Sequence, residues 1–136
     1  MLKPTRILIP TDFSEYSNKA LLQAFDIAKQ YNAKVYVLHV VHGESYYDDV
    51  EKQMIEGAKK KLQEEIDKFP QAKELEIFTE VVSGNTSEAI LTEERSKGID
   101  LIVIASLGQS GIAKYLIGSV ARNVLKCAKY PVLLTK

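Results

Sequence analysis

The chain has 136 residues, of which 46% are hydrophobic and 26% are charged, the composition of an ordinary globular domain. Its 18 basic side chains balance 18 acidic ones, which argues against a general nucleic-acid binder because no net field attracts phosphate or anionic lipid. The apolar run near the start is too short for a signal peptide, no stretch approaches a membrane span, and a single cysteine, Cys127, excludes an internal disulfide. We therefore expect one cytoplasmic domain over residues 1–136, with neither nucleic acid nor membrane as a partner.

Short, mostly apolar runs recur five times along the chain, and each is separated from the next by a helical pattern. The predicted strands are, in chain order, Arg6–Pro10, Lys34–Val41, Leu75–Val82, Asp100–Ala105 and Pro131–Thr135. The predicted helices begin after Ser14, near Val50, after Asn85 and at about Gly118. Cys127 lies on the apolar stripe of the last helix, so we expect it in the core.

Every crossover in this alternation contains a helix, which favours parallel strands with right-handed connections. The predicted fold class is α/β, a single-domain, open five-stranded parallel sheet with helices on both faces and Rossmann-like layers. Ligands of such sheets bind beyond the carboxyl ends of the strands, where the winding reverses. Three segments should meet there, namely Pro10–Asp12, Val40–His42 and the long loop after the fourth strand.

The loop from Ser106 to Gly118 is rich in glycine and leads directly into the last helix. Glycines let main-chain amides approach an anion, and a helix N-terminus adds unpaired N–H donors and a partial positive charge. The Ser119 hydroxyl can donate a further hydrogen bond to a phosphate oxygen. The spacing alone supports an alternative interpretation equally well. In this alternative no anion binds, the glycines only turn the chain, and Ser119 caps the helix.

The remaining polar residues suggest no catalytic centre. His39 and His42 are three residues apart on a strand and point to opposite faces, so we expect ordinary strand-end histidines rather than a metal pair. No Ser–His–acid or Cys–His combination is apparent, and Lys114 in the loop is expected to be solvated. The sequence also has no evident general base for a γ-phosphate and no Walker-type lysine, so enzymatic activity such as slow ATP hydrolysis ranks last.

The two ends of the chain resemble the universal stress protein family. The opening Ile7–Ser14 (ILIPTDFS) and the closing segment from Gly108 to Leu134 are similar to those of that family, and the similarity follows the element order over the whole chain. Its ATP-binding branch carries the motif G-x2-G-x9-G-[ST], and nine residues separate Gly108 from Gly118 here. Ala105 stands where this motif has its first glycine. An alanine is tolerated there if the backbone φ is negative, but it strains the loop if φ is positive.

The resemblance implies a nucleotide site that holds ATP, with or without Mg²⁺. Asp12 would lie near the ribose or adenine, although it has an alternative interpretation as a helix cap, and Val40 would present its backbone to the adenine edge. The implied nucleotide-binding residues are Pro10, Asp12, Val40, Ala105, Gly108, Gly118, Ser119 and Val120.

The resemblance also implies a homodimer joined through the C-terminal strand 131–135, a short apolar strand expected at a sheet edge. The function that follows is that of a stress-response protein acting as a nucleotide-dependent regulatory dimer. The alternative is a stress-associated protein-interaction dimer that binds no nucleotide, with protein partners that the sequence leaves unknown.

Overall fold

A computed structural model of the protein describes residues 2–42, 48–107 and 117–136. All five strands pair in parallel, in the order β3-β2-β1-β4-β5, which confirms the predicted α/β fold. The elements are β1 (Arg6–Pro10), α1 (Glu15–Tyr31), β2 (Lys34–Val41), α2 (Asp48–Asp67), a 3₁₀ helix (Pro70–Glu74), β3 (Ile77–Ser83), α3 (Thr86–Ser96), β4 (Leu101–Ala105), α4 (Ser119–Cys127) and β5 (Val132–Thr135).

The sheet separates two apolar layers. One layer packs α1 and α2 against the sheet and includes Ile9, Phe25 and Leu62. The other packs α3 and α4 against the opposite face and includes Leu8 and Ile90. Because successive residues of a strand point to opposite faces and both faces are covered, the central β1 is apolar from Ile7 to Pro10 and completely buried over 7–9.

Local capping signals in the sequence determine where two helices begin. The Ser14 hydroxyl accepts a hydrogen bond from the N–H of Ser17 at 3.2 Å and caps α1. Asn85 caps α3 in the same way, with its side-chain oxygen 3.1 Å from the N–H of Glu88. The prediction of Asn85 as a cap is therefore confirmed, and of the two sequence candidates for the cap of α1, Asp12 and Ser14, the structure selects Ser14.

Two expectations for single elements, and one alternative that the sequence left open, were wrong. β3 begins at Ile77 rather than Leu75, because Pro70–Glu74 forms a 3₁₀ helix after α2. Cys127 is exposed rather than part of the core, since α4 ends at this residue and the chain continues in an extended conformation at Ala128. Ser119 is the first residue of α4 and not its cap, a position that Gly118 occupies instead.

The strand order places the reversal of winding between β1 and β4, the neighbours at the centre of the sheet. The segments that follow β1, β2 and β4 therefore meet at one edge, as expected. None of the helices in the described ranges is long and apolar enough to cross a membrane.

Candidate functional site

A cavity of about 770 Å³ opens at the carboxyl edge of the sheet, where the winding reverses. Its lining comes from the ends of β1, β2 and β4 and from the start of α4, and α2 contributes Met54 and Ala58 from one side. The volume lies within the range of ordinary small-molecule sites, which is about 300–1,000 Å³.

The turn after β1 holds a network of hydroxyl groups around Asp12. The Asp12 Oδ1 accepts hydrogen bonds from the N–H of Ser14 and the hydroxyl of Ser17, each at 3.0 Å. Thr11 donates its hydroxyl to Ser17 Oγ at 3.0 Å, and its N–H to the carbonyl of Leu38 at 2.8 Å. Asp12 therefore stabilises the turn that carries it. Ser14 supplies the helix cap, so the interpretation of Asp12 as the cap is wrong, and its place in the cavity lining is the interpretation that remains.

Phe13 and His39 form a wall of the cavity that the sequence did not predict. Phe13 has a φ of +67°, a left-handed conformation that is uncommon for a residue with a side chain. Its ring lies 4.3 Å from that of His39, and the Lys61 ammonium lies 4.6 Å from the Phe13 ring centroid. His39 Nδ1 lies 2.7 Å from the carbonyl oxygen of Thr11, and because a carbonyl only accepts, this nitrogen carries the proton. His39 thus connects the ends of β1 and β2.

The start of α4 lies tightly against the end of β4. Gly118 donates its N–H to the carbonyl of Ser106 at 2.7 Å, and a Cβ added at Gly118 would lie 3.3 Å from that oxygen. The first N–H groups of a helix have no acceptor within the helix, and Gly118 has no side chain to cap them. Ser119 is exposed beside these donors. The helix therefore presents main-chain N–H groups and a partial positive charge to the cavity.

Ala105 occupies the position where a positive φ would have strained the loop. It is the last residue of β4, and it pairs with Thr135 of β5. The non-glycine residues with positive φ in the described ranges are Phe13 and Asn32, so Ala105 has ordinary extended backbone. Alanine is accommodated here without backbone strain.

The structure brings seven of the eight sequence-predicted residues into the lining of this one cavity. They are Pro10, Asp12, Val40, Ala105, Gly118, Ser119 and Val120. The eighth, Gly108, lies outside the described residues. Met54 of α2 and Thr86 at the start of α3 also line the cavity, but nothing in their positions along the sequence indicated this.

The charge of the lining is unusual for an anion site. Across 2–42, 48–107 and 117–136, the residues that line the cavity include one carboxylate, Asp12, and two histidines, but no lysine or arginine. Nor do three His, Cys, Asp or Glu side chains come together as metal ligands in those ranges. An anion in this cavity would therefore depend on main-chain N–H groups and hydroxyls.

Comparison with known proteins assigns the chain to a family. The model of the universal stress protein family matches residues 4–136. The chain belongs to this family. Universal stress protein MJ0531 of Methanocaldococcus jannaschii is 32% identical to it, over 96% of this chain and 81% of the relative.

Solved structures of other universal stress proteins share the whole fold. The structure of MJ0577, a universal stress protein of Methanocaldococcus jannaschii, superposes with a TM-score of 0.88 at 28% identity and covers 99% of this chain and 97% of its own. A second universal stress protein, solved in complex with cAMP, superposes with a TM-score of 0.75 at 26% identity and covers 99% and 98%.

Proposed function

We propose that this universal stress protein binds ATP in the cavity at the carboxyl edge of its sheet and acts as a nucleotide-dependent regulatory dimer. One observation carries the proposal: the N-terminus of α4, which no side chain caps, opens into a cavity of nucleotide size. The cAMP complex of a relative 26% identical to this chain supports an adenine nucleotide as the ligand.

Each end of the cavity suits a different part of the nucleotide. The main-chain N–H groups of Ser119 and Val120, together with the Ser119 hydroxyl, are the proposed phosphate ligands. Pro10 and Asp12 are the proposed neighbours of the ribose, and the backbone of Val40 is the proposed partner of the adenine edge. Ala105 adds only a methyl group to this arrangement, and Gly108 retains its proposed phosphate role by motif alone.

Magnesium is part of the proposal because of the charge of the lining. A triphosphate carries several negative charges, and the described lining offers no lysine or arginine to balance them. Helix N-terminal donors supply only about half an elementary charge. We therefore propose that ATP binds as its Mg²⁺ complex.

Binding rather than catalysis is the proposed activity. The Asp12 carboxylate in the described lining is already engaged by two donors of its own turn. The Nδ1–H of His39 donates a hydrogen bond to the carbonyl oxygen of Thr11. Neither is placed as a general base for water at a γ-phosphate, and a phosphoryl-transfer site needs such a group together with positioned cations.

A thermal-shift titration with Mg-ATP tests the nucleotide site. A ligand that binds only the folded state at 100 times its Kd raises the free energy of unfolding by about 2.7 kcal/mol, so the Tm should rise by several degrees. Ser119→Ala should weaken binding roughly tenfold, because it removes a hydrogen bond to a charged group. EDTA added with ATP should reduce the shift if the Mg²⁺ complex is the ligand.

Ser96→Ala is the matched control, since Ser96 is also exposed but lies at the end of α3 outside the cavity lining. It should leave the titration unchanged. No shift at millimolar Mg-ATP would contradict the nucleotide site and favour the alternative function, a protein-interaction dimer without nucleotide.

The proposed dimer interface is the free edge of β5. This strand ends the sheet, and apolar side chains are exposed on it and just before it, at Leu133 and Tyr130. Unpaired, apolar edge strands readily pair with another chain. Pairing with a second copy would cover both features.

A further inference from the structure

The opposite edge of the sheet carries an exposed aromatic pair. Tyr36 of β2 and Phe78 of β3 are direct neighbours in the parallel ladder, and their rings stack with centroids 5.0 Å apart. They lie on the same face as Leu38 of the layer beneath α3 and α4, because residues two apart on a strand share a face. Phe78 is nevertheless 42% exposed, so the helices leave this part of the face uncovered.

Two carboxyl groups adjoin the aromatic pair. Glu80 lies two residues after Phe78 on the same face of the sheet. Its side chain is hydrogen-bonded to that of Glu93 in α3, and the Glu93 residue is only 8% exposed. Burial, with the hydrogen bond and charge of Glu80, raises the pKa of Glu93 to about 7, and Lys97 opposes this only in part. Glu80 is only partly buried, so it is the carboxylate of this pair that a cation from outside can reach. We call Tyr36, Phe78, Glu80 and Glu93 the acidic–aromatic strip.

The main chain of β3 adds a row of hydrogen-bonding groups beside this strip. Val35 donates to the carbonyl of Glu76, and Gly84 donates to the carbonyl of Val41, both across the β2–β3 ladder. In a parallel strand alternate residues point their N–H and C=O to opposite sides, so those of Ile77, Thr79 and Val81 point away from β2. No strand of the described ranges pairs with that outer side.

We propose that the acidic–aromatic strip and the adjoining edge of β3 bind an extended, lysine- or arginine-bearing segment of a partner protein. The edge would pair with the backbone of the segment, as in β-strand addition. Its cationic side chains would reach Glu80, beside the buried Glu93, while their aliphatic stems cover Phe78, where a cation over the ring adds further attraction.

Charge complementarity selects this occupant over the alternatives. A second copy paired through the same edge would bring the glutamates of two β3 strands together, which like-charge repulsion disfavours. Nucleic acid is repelled by the same carboxylates. None of the four strip residues belongs to the cavity lining formed by the described residues, so this surface is separate from the proposed nucleotide site.

An NMR titration with a defined probe tests the surface. The ¹⁵N-labelled full chain is titrated with an acetylated octapeptide of alternating lysine and valine, and with an alternating glutamate–valine peptide as the charge control. We expect saturable shifts of the amides of Ile77–Ser83 with the lysine peptide only. Glu80→Gln combined with Glu93→Gln should weaken binding roughly tenfold, and Phe78→Ser should weaken it as well.

The double variant Asp26→Asn with Glu64→Gln is the matched control, because it removes two exposed carboxylates from α1 and α2 on the other face of the sheet. It should bind the lysine peptide as the unmodified protein does, and dispersed amide spectra show that each variant is folded. Equal weakening by the control variant, or peptide shifts confined to regions other than β3 and α3, would overturn the proposal. So would the absence of any saturable shift. Loss of Mg-ATP binding has no bearing on this result.

Discussion

At the scale of single residues, Gly57 and Gly98 differ in whether the backbone conformation requires a glycine. Gly98 follows α3 with a φ of +66°, where a side chain costs about 1 kcal/mol or more, although a Cβ would meet only the flexible Arg6 at 3.6 Å. Gly57 lies within α2, and nothing lies within 4 Å of a Cβ added there. Backbone conformation therefore explains Gly98, whereas no contact in the structure explains Gly57.

Alanine at these two positions should change stability in opposite directions. Gly98→Ala should lower the free energy of unfolding by about 1 kcal/mol, because alanine disfavours the left-handed conformation. Gly57→Ala should raise it by up to about 1 kcal/mol, because alanine favours a helix over the unfolded chain. Urea unfolding monitored by circular dichroism measures both, and a stabilised Gly98→Ala variant would contradict the conformational argument.

Residue-scale properties of the site were partly predictable. Asp12 and Ser14 were identified because a polar residue after a strand is a local signal for a helix cap. His39 was interpreted as an ordinary strand-end histidine, yet it contacts both Thr11 and Phe13. These two contacts exist because β1 pairs with β2. The residue pattern within β2 cannot indicate which strand lies beside it, so nothing in the sequence indicated them.

At the scale of elements, the contact between α3 and β3 places a carboxyl group where its charge is unfavourable. Glu93 is buried against Glu80, and these effects raise its pKa from 4.5 to about 7. A pKa that is raised in the folded state means that the fold favours the protonated form. The stabilising effect of this group is therefore complete below pH 4.5 and is lost as the pH rises through about 7.

The free energy of unfolding should accordingly fall between pH 4.5 and 7, with a contribution from Glu93 of at most about 3 kcal/mol. In Glu93→Gln this contribution should be absent, because glutamine stays neutral and its amide can still donate to Glu80. The variant should thus be more stable than the original protein at pH 8. Urea unfolding at several pH values checks this, with Glu64→Gln on the exposed side of α2 as the control. A variant that is less stable at pH 8 would show that Glu93 is stabilised as a carboxylate.

At the scale of the whole molecule, the two edges of the sheet differ in character. The edge at β5 is apolar, with Leu133 and Tyr130 exposed, whereas the edge at β3 combines an aromatic pair with carboxylates. Identical apolar edges can pair with each other, while identical acidic edges repel. This difference is the basis for proposing a second copy at one edge and a cationic partner at the other.

Leu133→Lys should shift the protein toward the monomer in sedimentation velocity, because it places two like charges in the proposed interface and removes apolar contact. Leu133 is 37% exposed, so the change should leave the monomer fold intact. Val50→Lys is the matched control, since Val50 is also exposed but belongs to α2, which packs against β2 and β3 near the other edge. An unchanged oligomeric state in Leu133→Lys would contradict an interface at β5.

The sequence by itself determined the alternation of strands and helices, the parallel α/β class, the cap at Asn85 and the glycine at the start of α4, and it limited the cap of α1 to Asp12 or Ser14. Each of these depends on residues that are close in the chain, through side-chain periodicity, capping and the freedom of glycine. Tertiary structure alone decided the strand order, the exposure of Cys127 at the end of α4, and the meeting of Met54, Phe13 and His39 at one cavity. These depend on which helix covers which strands and where it ends relative to the sheet, and that is set by packing between segments distant in the chain.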